Sequence, residues 1–155
     1  MRWIAVISTA FLFACATPVR IRPLELSNTS WKPVNIKGAQ QAWIVPGEGS
    51  SLLVDVHCNP RDLNVPLIGL TGQLLIGMTD QILISQTKIP YQEREALLST
   101  YEVKVDGIPQ KIRTLVLKKN QCIYDLVLSA PISDFDRRVC DFDHIQQHLK
   151  LELNP

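Results

Sequence analysis

The sequence predicts an α+β fold, an antiparallel sheet of about six to seven strands flanked by helices. Three observations lead there. Short apolar or alternating stretches recur from Trp31 to Ala130, the pattern of buried and half-buried strands. The last four are joined by turn signals too short for a crossover, so their pairing is antiparallel. Two further stretches, near Pro66–Met78 and Ser133–Leu149, repeat apolar residues at steps of three and four and can cover a sheet.

Taken in order, Trp31 to Lys37 alternates and stops at Gly38, and Ala42–Val45 is a short second strand closed by Pro46-Gly47-Glu48-Gly49. From Ser51 to Cys58, Leu52, Val54 and Val56 fall on one face, and Leu53, Asp55 and His57 on the other; Asn59-Pro60-Arg61-Asp62 ends the run. Leu67, Leu70, Leu74 and Met78 have helical spacing, with Pro66 in the first turn and Asn64 as cap. Gly69, Gly72 and Gly77 weaken that helix, each by up to about 1 kcal/mol relative to Ala, so a sheet must hold it. Strands are expected at Gln81–Lys88, ended by Ile89-Pro90, then at Ala96–Val105, Gln110–Lys118 and Gln121–Ala130. Asp106-Gly107 is the clearest hairpin signal and Lys119-Asn120 a second turn. The closing helix, about Ser133 to Leu149, is capped by Ser133 or Asp134 and carries Phe135, Val139, Phe142, Ile145 and Leu149 as one stripe.

The N-terminus carries a different signal. Arg2 precedes the apolar run Trp3–Phe13, and Leu12-Phe13-Ala14-Cys15 ends it. The run is too short to span a bilayer, which takes about 20 apolar residues, and fits a signal h-region. Leu12–Cys15 resembles the lipobox of bacterial lipoproteins. That resemblance implies residues 1–14 as signal peptide and Cys15 as a lipidated mature N-terminus. Ala14-Cys15-Ala16 also fits ordinary secretory cleavage, which would start the protein at Thr17, and an uncleaved anchor is a third reading. By the Gram-negative sorting rule, the absence of Asp after Cys15 implies the outer rather than the inner membrane, with the domain facing the periplasm. Residues 15–28, with two prolines and no period, read as a tether, and 29–155 as a single domain.

Of the 155 residues, 46% are hydrophobic and 20% charged, an ordinary globular composition. Losing Arg2 with the leader leaves 15 basic and 15 acidic residues. No basic surplus points to nucleic acid, and membrane attachment falls to lipid on Cys15. Past Cys15 stand Cys58, Cys122 and Cys140. An oxidising compartment favours a disulfide. Cys58 with Cys122 is the favoured pairing, because both bound strand-like segments whereas Cys140 lies off the stripe of a helix; three free thiols are the other reading.

Arg94-Glu95-Ala96-Leu97, Val105-Asp106-Gly107-Ile108-Pro109, Cys122-Ile123-Tyr124-Asp125-Leu126 and Phe142 in a closing helix together resemble small bacterial lipoproteins with a PsbP-like domain. The resemblance spans about residues 29–150 and implies a sheet between helices in a sandwich, and a docking or assembly role.

Chemistry is sparse. There is no nucleophile elbow, phosphate-binding glycine loop or HExxH. Asp141, His144 and His148 could share one helical face as weak metal ligands, but that face lies opposite the apolar stripe and reads as solvated. His57 could join such a site only if folded beside it. Asp134, Asp136, Asp141 and Asp143 suit a helix start. Asp125 is read as the outward residue of an alternating strand, a buried acid being the other reading. Trp31 and Trp43 are read as core or sheet-edge residues rather than a binding platform.

The expectation is a non-enzymatic, lipid-anchored envelope protein that binds or assembles another envelope protein, with no cofactor. The alternatives are a periplasmic metal-binding protein or accessory enzyme using Asp141, His144 and His148, and a lipid or small-molecule carrier.

Overall fold

A computed structural model describes residues 21–26, 28 and 30–151. The signal-peptide reading and Cys15 fall outside these residues. The strands are β1 (Lys32–Val34), β2 (Gln41–Val45), β3 (Ser50–His57), β4 (Thr79–Tyr91), β5 (Arg94–Val105), β6 (Ile108–Lys119) and β7 (Cys122–Pro131). Helix α1 (Leu67–Leu74) lies between β3 and β4, and α2 (Phe135–His148) follows β7. All seven strands form one antiparallel sheet in the order β1-β2-β3-β7-β6-β5-β4. The expected α+β class and element order hold.

Each neighbouring pair is consecutive in sequence except β3 and β7, which join the first three strands to the last four. Next to this pairing the Cys58–Cys122 disulfide closes across 64 residues. Cys140 is free and exposed.

The period-two pattern sorts side chains onto two faces. One face, with Leu52, Val54, Leu115, Leu117, Tyr124, Leu126 and Leu128, packs under Phe135, Phe142, Ile145 and Leu149 of the α2 region. Each side chain so buried contributes roughly 1.5–3 kcal/mol. The opposite face, with Ile112, Val116, Ile123 and Val127, is covered by Leu70, Leu75 and their neighbours around α1. Central strand β7 is therefore buried on both sides.

Several boundaries differ from expectation for local reasons. α1 ends at Leu74 rather than Met78, because the chain turns through Gly77 at φ +89 to enter β4. Asn64 does not cap α1. It ends a 3-10 turn, Asp62–Asn64, while Pro66 stands at the helix cap position. Lys118 Nζ donates to Leu63 O and Val65 O, holding that turn over the sheet. β4 runs through Pro90 because it is an edge strand whose outward N–H has no partner to lose. The turn before β7 falls at Asn120 and Gln121, both at positive φ. Asp134 occupies the α2 cap position without a side-chain cap bond. Its carboxylate meets Ser133 and Arg137 instead. Residues 21–26, read as part of a tether, lie against the domain: Ile21 is buried, Leu24 N donates to Gln41 Oε1 (2.8 Å), and Gln41 Nε2 donates to Arg22 O (2.8 Å).

α2 is also held by a buried ion pair. Arg138, its side chain 3% exposed, donates through Nε to Glu48 Oε1 (2.7 Å) and through Nη2 to Oε2 (2.5 Å). Its guanidinium also lies over the Trp31 ring at 5.3 Å. Glu48 sits in the β2–β3 turn, so the pair ties that turn to the helix. The Arg138 hydrogen bonds lower the Glu48 pKa from 4.5 to about 2, against the opposing effect of burial.

Two outcomes follow. A folded-state pKa below the unfolded one stabilises the protein above pH 4.5 and loses that effect as pH falls toward 2. Glu48→Gln should therefore cost about 3 kcal/mol at pH 7 and flatten the acid limb of a urea-denaturation series. Reducing the disulfide should lower stability by about 2–4 kcal/mol in the same assay.

Candidate functional site

On the α1 face, where β3 meets β7, the register sets Asp55 directly opposite Asp125. Two like charges so placed repel. His57, one period further along β3, turns Nδ1 toward both carboxylates, 3.5 Å from Asp55 Oδ2 and 3.7 Å from Asp125 Oδ2. Its Nε2 lies 3.9 Å from Asp62 Oδ2 on the 3-10 turn. Asp55, His57 and Asp125 each offer a donor atom within 4.8 Å of the others. The cluster is graded from solvent inward: the side chains of His57, Asp55 and Asp125 are 37%, 26% and 4% exposed.

Asp125 is thus not the outward residue of an alternating strand. β7 is covered on both faces, and alternation along it separates two buried environments. Asp125 Oδ1 is buried and accepts no hydrogen bond among the described residues. Burial raises the Asp125 pKa from 3.8 to about 7; His57 partly opposes this and Asp55 adds to it.

The α2 trio does not converge. Asp141 Oδ2 accepts from Trp31 Nε1 (2.8 Å) and lies 3.6 Å from Arg138 Nη1. It is turned to the buried side of the helix. His144 and His148 stack on each other, ring centroids 4.2 Å apart, and His148 Nδ1 lies 2.8 Å from His144 O. Asp136, at the start of α2, is exposed and remains a solvated helix-start acid. Trp31 and Trp43 are buried, as expected of core residues.

The sequence did hold a signal for the cluster. Asp55 and Cys58 are three residues apart, as are Cys122 and Asp125, so an antiparallel pairing that joins the cysteines sets the acids opposite each other. The part of His57 also depends on the turn that brings Asp62, which no sequence period indicates.

A second feature lies at the sheet edge. β4 is thirteen residues long and exposes Ile82 (58%), Leu83 (51%) and Ile84 (49%). Beside it, a groove of about 390 Å³ runs between α1 and β5, lined by Leu67, Ile68, Gln86, Lys88 and Leu97. Among the described residues, no helix is long and apolar enough to cross a membrane.

The Asp125 shift has a sign that can be measured. The folded state holds a proton that the unfolded chain has released between pH 3.8 and about 7, so stability falls as pH rises through that window. Asp125→Asn should remove this slope and, in chelator at pH 8, stabilise the chain by about 1–3 kcal/mol in thermal denaturation.

No family model matches the sequence, and no curated protein matches it. Solved structures do. PA94 of Pseudomonas aeruginosa, a protein of unknown function, aligns at TM-score 0.57 and 13% identity over 92% of this chain and 88% of its own. Cyanobacterial PsbP (CyanoP) of Synechocystis sp. PCC 6803 aligns at 0.56 and 14% over 80% and 83%. LpqN of Mycobacterium tuberculosis, involved in cell envelope biogenesis, aligns at 0.61 and 10% over 86% and 84%. At such identities the likeness is one of fold, and the fold of this chain is PsbP-like.

Proposed function

We propose that the chain is a non-enzymatic protein of the bacterial cell envelope, held at the membrane by lipid on Cys15, that docks an extended apolar segment of another envelope protein along β4. The observation that carries this reading is the free β4 edge. Its outer row of backbone N–H and C=O groups has no strand beside it among the described residues. Natural edges are blunted by shortness, proline or charge, and β1, three residues with Pro33, is blunted in that way. β4 carries Lys88 and Pro90 toward its far end and register shifts beside Ile82 and Leu83, yet it is thirteen residues long and exposes three adjacent large apolar residues. An added strand would take its main-chain bonds and bury Leu83 and Ile84. The lipobox resemblance at Cys15 supports the address, and the envelope role of LpqN, which shares the fold, agrees with it. The outer membrane, with the domain facing the periplasm, is the address that the residues after Cys15 favour.

Two measurements test this reading. A fatty-acid analogue should label the wild type and not Cys15→Ala; equal absence of label removes the anchor. A photo-cross-linking side chain at Leu83 should give one discrete adduct in intact envelopes, and the same group at exposed Ile132 should not. Ile84→Lys should cut the Leu83 adduct about tenfold or more. An adduct of twice the mass of the chain would make the partner a second copy, and labelling equal at both positions would overturn the docking edge.

A further inference from the structure

We infer that Asp55, His57 and Asp125 form a binding site for one divalent transition-metal ion, with zinc the best match to the donor set. The site is separate from the β4 edge and does not depend on it. The distances carry the argument. His57 Nδ1 stands 3.5 and 3.7 Å from the two carboxylate oxygens, beyond an ordinary N–H···O bond of about 2.7–3.2 Å. Two donors that bind one tetrahedral ion at about 2.0–2.1 Å lie about 3.4 Å apart. His57 Nδ1 is thus spaced from both carboxylates for a shared ion better than for direct bonds, and the two carboxylates offer donor atoms within 4.8 Å of each other.

Asp125 supplies an independent observation. Its carboxylate is 4% exposed, Oδ2 faces into the cluster, and Oδ1 has no donor among the described residues. A buried acid opposite a second acid costs stability unless a cation compensates both. A divalent ion would neutralise the pair. Asp62 adds negative charge beside the ring: with Nδ1 on the metal, Nε2 stands 3.9 Å from Asp62 Oδ2, close enough for charge attraction and beyond a direct hydrogen bond. The scaffold is stiff, since the acids are register partners in two paired strands and the disulfide closes the next step of the same pairing.

The donor chemistry narrows the ion. Calcium and magnesium prefer all-oxygen shells of six or more ligands, whereas an imidazole with two carboxylates suits zinc and its transition-metal neighbours. The partly exposed edges of Asp55 and His57 leave a fourth position for water or for a donor from outside.

The test is calorimetric titration of zinc into the full chain, purified with the disulfide intact and stripped with a chelator. The expected result is one zinc per chain with a dissociation constant of about 10 μM or tighter, and a melting temperature that rises with zinc. Replacing zinc with cobalt should give visible absorption of low-coordinate cobalt. Asp125→Asn and His57→Gln should each weaken binding at least about tenfold, and Asp62→Asn should weaken it less than either, since it acts through charge alone. His57 is partly exposed, so His57→Gln separates loss of a ligand from the change in stability that Asp125→Asn brings by itself. His144→Ala with His148→Ala should leave the affinity unchanged, as should Ile84→Lys, which separates this site from the docking edge. No binding up to about 1 mM zinc, or binding lost only in the His144/His148 variant, overturns the site.

Discussion

The pairing of β3 with β7 is the constraint on which the other features rest. Every other strand contact joins neighbours in sequence and closes a short loop. This one brings together segments separated by α1 and three strands. It turns two meanders into one seven-stranded sheet and places β7 in the middle, covered on both faces. Closing so long a loop costs entropy, and the Cys58–Cys122 bond removes part of that cost from the unfolded chain. The same pairing aligns Asp55 with Asp125. The staple and the charged cluster are therefore two results of one register.

The two helices do different work. α2 supplies most of the burial through an apolar stripe, and Arg138 on its flank reaches across to Glu48 in the β2–β3 turn. A buried guanidinium is poor evidence of added stability, since desolvation offsets most of its Coulombic gain. Its value here is placement, because one rotation of α2 brings Arg138 to Glu48 and the Trp31 ring while Asp141 of the same helix accepts from Trp31 Nε1. Asp141 is drawn inward by that arrangement and away from the histidines. α1 is short and glycine-rich, and leaves part of its face to the 3-10 turn that Lys118 holds in place. That turn carries Asp62 to His57. The His57–Asp55–Asp125 cluster thus lies under the 3-10 turn beside α1.

The two edges of the sheet are unlike in a way that matters for function. β1 is minimal and proline-bearing, and residues 21–26 fold back beside it onto Gln41 of β2. β4 is thirteen residues long and exposes Ile82, Leu83 and Ile84. Exposed apolar residues are common singly, but three in succession on a free edge expose a surface that folding alone does not require. The PsbP-like fold leaves such an edge available while the core stays closed.

The sequence alone determined the local features: the alternating strands, the Asp106-Gly107 hairpin and the α2 stripe; it favoured Cys58–Cys122 from their place at two strand ends, and the β3–β7 register decided the pair. These are read within a few residues, where backbone period and turn chemistry dominate. Element ends were less legible, since α1 stops where the chain must turn into β4. Only the tertiary structure decided which face of β7 is dry. Alternation marks Asp125 as facing away from Tyr124 and Leu126, but cannot say that a 3-10 turn and α1 lie over that second face. Nor could spacing along α2 show that Trp31 and Arg138 claim Asp141. Both outcomes depend on contacts between residues far apart in the chain, where burial and charge are settled by what the fold brings alongside.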